Sequence, residues 1–251
     1  MILVCDIGNT NITIGLSKGQ DLSLRAQLAT DRAGRFGHFL KSCLVSRKIT
    51  PSRIKAGVIC SVVPRVNKGI KNAIKGLIAG PVYILGDNLS VPIKNRYAKP
   101  KEVGSDRLVC AYMGLRLYGA PVITVDLGTA ITFDAVSRDK EYLGGIILAG
   151  IGLSLSSLYQ QTALLPKIGP AKAKVLIGRN TMASMLSGVT FGFGSLIDGL
   201  MDKLKEQLGP GTKTILTGGD AAFIKPYCKR IDYFKPDLVL KGLSALCPRN
   251  S

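Results

Sequence analysis

The sequence predicts an α/β protein made of two related halves, each a mixed β-sheet covered by helices. The stretch 1–16, MILVCDIGNTNITIGL, is an apolar strand that ends in Asp and Gly and returns as a second strand. The stretch 121–136, PVITVDLGTAITFDAV, repeats this pattern, with Asp6 and Asp126 placed 120 positions apart. Between them, helical and strand periodicities alternate, which is typical of helices packed on a sheet. We therefore predict an internal duplication into halves 1–118 and 119–251, with a cleft between them that both Asp-Gly turns face.

The first half contains a three-strand meander followed by alternating helices and strands. Residues 21–30 continue the opening hairpin as a third antiparallel strand, and Thr50-Pro51 is a typical helix start. Helical spacing of apolar residues predicts helices over 37–48 and 64–79, and apolar runs predict strands over 56–63 and 81–85.

In the second half, strands and helices also alternate after the opening hairpin. We predict a strand over 142–148, helical stretches over 152–165 and 180–208, and a strand–turn–helix over 213–222. Residues 142–166 carry no charge, but their Gly, Ser and Gln content favours a core strand and helix over a membrane span.

Composition narrows the environment and the partners. Six cysteines without CxxC spacing, one histidine and no signal peptide predict a reducing, cytoplasmic setting without a zinc site. The net charge is +18, yet Lys and Arg are scattered along the chain. We interpret this charge as a general surface property rather than a nucleic-acid interface, and we expect neither nucleic acid nor membrane as a partner.

The DxGNT turn at 6–10 has the chemistry of a phosphate-binding loop. Gly8 allows close backbone approach, and the short polar residues 9–11 can donate hydrogen bonds to phosphate oxygens. Asp6 can hold Mg²⁺, which prefers carboxylate and phosphate oxygens. The alternative is an Asx-stabilised hairpin turn, but its repetition at Asp126–Thr129 favours phosphate binding.

A third glycine turn, TGGD at 217–220, follows the predicted strand KTIL. Gly218 and Gly219 permit flat approach to a planar group such as adenine, although a plain strand-to-helix turn is the preferred explanation when TGGD is considered alone. In this order, the three turns resemble the phosphate and adenosine motifs of the actin-like, sugar-kinase-like ATPase superfamily.

GSDR at 104–107 precedes a helix that we expect Ser105 to cap. A carboxylate at Asp106 can accept the proton of an attacking hydroxyl, and Arg107 can grip an anionic group of the substrate. An ordinary capped helix with adjacent charges is the alternative.

The full set of motifs resembles the type III pantothenate kinases. The matching stretches, in order along the chain, are DIGNTN (6–11), SVVP (61–64), GSDR (104–107), DLGTAITFD (126–134), LGGIILAGIGLS (143–154), LPK (165–167), GRNTMASMLSG (178–188) and TGGDA (217–221). The resemblance implies two RNase-H-like halves of the actin-like ATPase fold, with two mixed five-stranded sheets flanked by helices. It further implies ATP-dependent phosphorylation of pantothenate, the first step toward coenzyme A, by a homodimer with a shared active site that needs K⁺ or NH₄⁺.

The resemblance also implies residue roles. The ATP phosphate loop falls on Asp6, Ile7, Gly8, Asn9, Thr10, Asn11, Ile12 and Thr13, with Asp6 near Mg²⁺. Asp106 is implied as the proton acceptor within a substrate-binding run of Gly104, Ser105, Asp106 and Arg107. Tyr97 and Thr181 are implied as further substrate contacts, with Thr181 near the dimer interface. Asp126 is implied as the monovalent-cation ligand and Thr129 as an ATP contact, while Gly218 and Gly219 belong to the adenosine motif.

Two departures and two alternatives accompany this assignment. Position 149 is Ala where the family commonly has Pro, and residues 31–39 are unusually basic. Another small-molecule kinase of the superfamily, or a basic regulatory protein that binds nucleic acid on the same fold, are the competing functions.

Overall fold

The computed structural model describes residues 1–19 and 21–248, and these fall into two compact units. Among the described residues, the first unit comprises Met1–Ile93, Lys99–Met113 and 238–248. The second comprises Lys94–Ala98 and Gly114–Asp237. The division of the duplicated sequence at residues 118 and 119 stays a prediction.

The first unit is built on a mixed five-stranded sheet. Its strands are β1 (Ile2–Ile7), β2 (Asn11–Lys18), β3 (Asp21–Ala29), β4 (Ala56–Ser61) and β5 (Val82–Ile84), in the order β3-β2-β1-β4-β5. The first three strands form an antiparallel meander, and β1, β4 and β5 run parallel. The carboxyl ends of β1 and β4 therefore lie at one edge of the sheet, which is where ligands bind in sheets of this kind.

Helices cover this sheet and close its core. They are α1 (Phe36–Ser46), α2 (Pro64–Lys75), the start of α3 (Ser105–Tyr118), and α8 (Leu238–Leu246). Fully buried side chains of β1, such as Leu3 and Cys5, pack in one cluster with Leu40 of α1 and Ile70 of α2. The helix α8 packs on β1 and β2, where the Ser17 and Ser244 hydroxyls lie 2.6 Å apart.

The second unit is built on a six-stranded sheet. Its strands are β6 (Lys94–Asn95), β7 (Val122–Leu127), β8 (Ala130–Val136), β9 (Glu141–Ala149), β10 (Lys213–Thr217) and β11 (Tyr233–Phe234), in the order β11-β10-β7-β8-β9-β6. The strands β7, β8 and β9 repeat the antiparallel meander of the first unit, and β10 runs parallel to β7.

The helices of the second unit are α4 (Ile151–Gln161), α5 (Thr181–Ser187), α6 (Phe193–Leu208) and α7 (Ala221–Ile224). A wider π-type turn over Gly188–Gly192 joins α5 to α6, so the predicted helical stretch 180–208 is nearly continuous. Ile197 and Met201 of α6 are fully buried in the same apolar cluster as Val125 and Phe133 of the sheet.

The structure confirms the predicted α/β class with two mixed sheets, and it corrects three details. The second sheet has six strands rather than five, because Lys94–Asn95 adds a short strand to β9. Thr50-Pro51 begins only one 3₁₀ turn, Pro51–Arg53, since β4 starts three residues later. Ser105 is the first helical residue rather than the residue before it. Within the described residues, we find no helix long and apolar enough to cross a bilayer.

Candidate active site

The predicted phosphate loop is the turn between β1 and β2. The Gly8 amide donates to the Asn11 carbonyl at 2.9 Å, and Thr30 fixes the turn from outside by donating its hydroxyl to the Gly8 carbonyl at 2.7 Å. Residues 9–11 are exposed at its tip. The side chains of Ile7 and Ile12 are fully buried in the core, so these two predicted loop residues offer only their backbone to a ligand.

The structure brings Asp6 and Asp106 to one buried thiol. Asp6 pairs with Cys60 of β4 in the sheet register, so both side chains project from the same face of the sheet. The Cys60 sulfur lies 3.2 Å from the Ser105 hydroxyl at the start of α3. Burial raises the pKa of the Cys60 thiol well above its usual value, and the charges of Asp6 and Asp106 raise it further. Two predicted site motifs of the first unit are therefore neighbours.

The GSDR turn holds Asp106 in a defined position. The Arg107 amide donates to Asp106 Oδ1 at 2.8 Å, and the Arg107 side chain is buried. A Cβ at position 104 would lie 2.4 Å from Asp106 Oδ1, which explains the glycine before the helix. Burial raises the pKa of Asp106, while the amide and guanidinium of Arg107 offset this only in part. A carboxylate with a raised pKa is a better proton acceptor near neutral pH.

In the second unit, two glycines enclose the turn that follows Asp126. A Cβ on Gly150 would lie 2.2 Å from the Gly128 carbonyl oxygen, and one on Gly218 would lie 2.3 Å from Asp126 Oδ1. Gly218 also has a φ of +103°, which side chains with a Cβ rarely adopt. Thr129 and Gly219 are exposed beside this turn. The structure therefore brings together the DLGT and TGGD motifs that the sequence places about ninety residues apart.

Tyr97 lies elsewhere on the same unit, next to β9. Its amide donates to Asn95 Oδ1 at 2.9 Å, and its ring is close enough to Gly144 that a Cβ there would be 3.1 Å from two ring carbons. Thr181 is exposed at the first position of α5, which Asn180 caps by accepting from the Ala183 amide at 2.8 Å.

Comparison with known proteins assigns the family. The sequence model of the type III pantothenate kinase family matches residues 2–203. The chain is also 37% identical over 253 residues to the type III pantothenate kinase of Solibacter usitatus (strain Ellin6076), covering 100% of this chain and 97% of that protein. This chain belongs to the type III pantothenate kinase family.

Solved structures agree with this family's fold. A Campylobacter jejuni protein described as a Baf family transcriptional activator has a TM-score of 0.61 at 22% identity, with 97% of this chain and 96% of that chain covered. A Sinorhizobium meliloti protein described as a 2-dehydro-3-deoxygalactonokinase has a TM-score of 0.58 at 14% identity, with 98% and 95% covered. At these identities the likeness concerns the fold, which is shared with sugar kinases.

In the part of the chain that the structure describes, this type III pantothenate kinase has few side chains placed to bind a metal ion. Among residues 1–19 and 21–248, no three His, Cys, Asp or Glu side chains cluster as a metal site. A Mg²⁺ ion bound here would rely on one or two carboxylates together with phosphate oxygens of a nucleotide, which is how Mg²⁺ is commonly held in kinases. The carboxylate of Asp6, near the end of β1 beside a glycine turn, has the chemistry for this.

Sequence reasoning missed two neighbours of the predicted site residues. Cys60 is not assigned to the site from the sequence, although it directly precedes SVVP at the end of a parallel strand. Since the carboxyl ends of parallel strands share one edge, that position could have been linked to Asp6. Gly144 lies within the LGG motif, but the sequence gives no sign that it contacts Tyr97.

Proposed function

We infer that this protein transfers the γ-phosphoryl group of ATP to the primary hydroxyl of pantothenate, the first step toward coenzyme A. Membership of the type III pantothenate kinase family over the whole chain is the observation that carries this inference. The six free thiols in the described structure favour a reducing compartment, and we propose the cytoplasm.

Asp106 and Arg107 are the proposed reacting and binding groups. Asp106 accepts the proton of the pantothenate hydroxyl as that oxygen attacks the γ-phosphorus, and the bond to the β–γ bridging oxygen breaks. Its raised pKa supports this role, and so does the location of Asp106 beside Cys60, which also lies close to Asp6. The Arg107 guanidinium binds the pantothenate carboxylate, since a planar cation recognises a carboxylate through two hydrogen bonds.

The exposed DxGNT turn is the proposed phosphate loop. Its glycine removes the Cβ that would crowd a phosphate, and Asn9, Thr10 and Asn11 supply short polar donors. Asp6 is the proposed Mg²⁺ ligand, and Thr129, Gly218 and Gly219 are proposed ATP contacts. A bound Mg²⁺ supplies neutralisation of phosphate charge; the chain positions the reactants.

Asp126 is the proposed ligand for K⁺ or NH₄⁺. A carboxylate next to a nucleotide's phosphates repels them unless a cation lies between, so removal of the cation should be felt electrostatically. We expect replacement of K⁺ by tetramethylammonium, which is too large to lie between the carboxylate and the phosphates, to lower kcat/KM roughly fivefold to tenfold at constant ionic strength. Steady-state rates in the two salts measure this, and equal rates would contradict it. The Asp126→Asn variant should respond less to the exchange than the parent protein.

A homodimer is proposed from the apolar surface of the second unit. Exposed apolar side chains lie on β9, on α4, and around the start of α5, and they include Ile147, Leu153, Ile177 and Met182 at 60%, 48%, 81% and 54% exposure. Several large apolar side chains exposed on one unit favour association with another protein surface. Thr181 lies beside Met182 in the sequence, which supports its proposed role as a substrate contact near the interface of a shared active site.

We expect the double variant Ile147→Asp/Ile177→Asp to be monomeric. Two carboxylates placed in an apolar interface would raise the dimer dissociation constant by at least about a hundredfold. Light scattering after size exclusion measures the mass. Val45→Asp is the matched control, because Val45 is 76% exposed on α1 of the other unit and should leave the dimer intact. A dimeric double variant, or a monomeric parent protein, would refute the interface.

The function itself is tested with purified protein, ATP, Mg²⁺ and K⁺. We expect phosphopantothenate, identified by mass spectrometry, together with one ADP per product. Pantothenol, which has a hydroxyl in place of the carboxylate, should be a much poorer substrate because Arg107 loses its anionic partner. Absence of phosphopantothenate, with turnover of another alcohol in a substrate panel, would assign the protein to a different small-molecule kinase.

A further inference from the structure

The segment 94–98 joins the second unit through very little backbone pairing. The strand β6 has two residues, and its register pairs are Lys94 with Glu141 and Asn95 with Tyr142. It forms the edge of the six-stranded sheet. Two ladder pairs at an exposed edge are far below the length of an ordinary strand, so other contacts must hold this segment.

Glu141 provides these contacts. Its carboxylate accepts from Arg96 Nε at 2.7 Å and from Arg96 Nη2 at 2.9 Å, and Lys94 Nζ lies 2.7 Å from it. The Glu141 side chain is 18% exposed, whereas Lys94 and Arg96 are 61% and 51% exposed. Hydrogen bonds from Arg96 and then Lys94 lower the pKa of Glu141 to about 2. The carboxylate therefore remains ionised throughout the range of an enzyme assay.

The contacts of Glu141 with Lys94 and Arg96 form a clamp on the segment 94–96, and Tyr97 is the next residue along the chain. The Arg96 amide donates to the Tyr142 carbonyl at 2.8 Å, which continues the pairing for one more residue. The Tyr97 amide donates to Asn95 Oδ1 at 2.9 Å. Glu141, one residue before Tyr142, thus fixes the backbone on which the tyrosine ring depends.

Gly144 provides the surface against which the ring packs. A Cβ on Gly144 would lie 3.1 Å from both Cδ2 and Cε2 of Tyr97, which is tighter than ordinary contact. Gly144 also has a φ of +122°, where any other residue is strained. The backbone of β9 at Gly144 is therefore shaped to receive the tyrosine ring directly.

We propose that Glu141 and Gly144 are positioning residues for the alcohol substrate, because together they hold Tyr97 where it contacts pantothenate. This rests on the proposed function, in which Tyr97 is a substrate contact. Holding the ring in place before the substrate arrives avoids the loss of conformational entropy that a mobile segment would suffer on binding. Neither residue needs to touch pantothenate for this effect.

The clamp is tested first without any substrate. Hydrogen–deuterium exchange of the peptide that contains 94–98 should be faster in Glu141→Gln than in the parent protein, since the variant keeps the shape but loses the charge. Asp202→Asn is the matched control: Asp202 on α6 forms an exposed ion pair at 3.0 Å with Arg230, and the two side chains are 47% and 55% exposed. The control should not change exchange at 94–98. Unchanged exchange in Glu141→Gln would overturn the clamp.

The effect on substrate is tested by kinetics. We expect Glu141→Gln to raise KM for pantothenate about twofold to fivefold, the size of effect that the loss of exposed ion pairs produces, with kcat and the KM for ATP within twofold. Gly144→Ala should give the same split with a larger rise, because its methyl group displaces the ring. Pantothenate binding by calorimetry should weaken in parallel.

A double-mutant cycle separates positioning from general damage. In a Tyr97→Ala background, Glu141→Gln should cause no further rise in the KM for pantothenate, since it acts through the ring. Additive effects in that background would overturn the proposal. If the parent protein neither binds nor phosphorylates pantothenate, the proposed function fails, and with it the assignment of the substrate. The exchange experiment still decides whether Glu141 holds Tyr97 in place.

Discussion

Asp106→Asn should lower kcat for pantothenate phosphorylation about a hundredfold to ten-thousandfold, the usual contribution of a positioned proton acceptor. The amide keeps the size of the side chain and can still accept from the Arg107 amide, so the turn should persist. It cannot take the proton of the attacking hydroxyl at neutral pH. The KM for ATP should therefore change little, because the loss occurs in the transition state rather than in nucleotide binding.

The same substitution should stabilise the protein at neutral pH. Burial raises the pKa of Asp106 above its value of 3.8 in an unfolded chain, so the folded state disfavours the charged form. Protonated Asp106 therefore stabilises the folded protein relative to the charged form. This contribution is fully present below the pKa that Asp106 has in the unfolded chain, and it is lost as the pH rises through the pKa that Asp106 has in the folded protein. The side-chain amide of the Asp106→Asn variant has no charge to bury. The melting temperature of the variant should exceed that of the parent at pH 7, and the difference should vanish below about pH 3.8.

Glu102→Gln is the matched control for Asp106→Asn. Glu102 is 58% exposed, forms only a surface pair with Lys99 at 3.0 Å, and lies four residues before Asp106. Its loss removes one negative charge nearby and should leave both kcat and stability close to those of the parent. If Asp106→Asn keeps more than a tenth of kcat, or if the control loses as much, Asp106 is not the proton acceptor.

The sequence was most informative where strand periodicity ends in a glycine turn. The turns at Gly8 and Gly128 were predicted because polar and flexible residues interrupt two runs of buried apolar alternation, and both runs became paired strands. The helix predicted over 37–48 forms as Phe36–Ser46, with Leu40 and Leu44 buried as its spacing requires. Apolar periodicity over segments of this length therefore predicts both the type of element and which of its side chains are buried.

The features that were missed depend on contacts between distant residues. Lys94–Asn95 is too short to show an alternation of apolar and polar residues. It is held as a strand because Glu141, forty-seven positions after Lys94, forms ion pairs with Lys94 and Arg96. Thr50-Pro51 has a good helix-start signal, but only two residues separate Arg53 from the buried strand that begins at Ala56. The placement of α8 in the first unit likewise follows from packing, such as the contact between Ser17 and Ser244, which no local pattern encodes.

In the candidate site too, local sequence predicted some features, whereas others depend on contacts between distant residues. Residue types and spacing identified Asp6, Asp106 and Asp126 as carboxylates beside turns and suggested the roles of Asp6 and Asp106, while the resemblance to the family supplied the role of Asp126. Sequence could not indicate that Cys60 lies against Ser105, or that Gly218 packs against Asp126. Those contacts decide how each carboxylate is held, and they arise only when the strands are paired.

Gly218→Ala should be among the most damaging single substitutions in the second unit. The added Cβ would lie 2.3 Å from Asp126 Oδ1, 2.4 Å from the Leu127 carbonyl oxygen and 2.6 Å from the Leu127 amide nitrogen. Two of these atoms belong to the backbone, so the turn itself must shift. With the strain at a φ of +103°, we expect a loss of about 2–4 kcal/mol in the free energy of unfolding. This corresponds to about 5–15 °C in melting temperature. Displacement of Asp126 should also lower kcat/KM more than tenfold.

Gly219→Ala separates this packing effect from a contact with nucleotide. Nothing lies within 4 Å of a Cβ at Gly219, its φ is not positive, and the residue is exposed. Its melting temperature without ligand should equal that of the parent. If adenine lies flat against this glycine, the methyl group should raise the KM for ATP severalfold without changing the KM for pantothenate. A stable Gly218→Ala variant with normal kinetics would contradict the packing argument. The added methyl group is on the surface, so it can change the KM for ATP only by contacting the bound nucleotide. An unchanged KM for ATP in Gly219→Ala would therefore show that the TGGD turn does not bind the nucleotide.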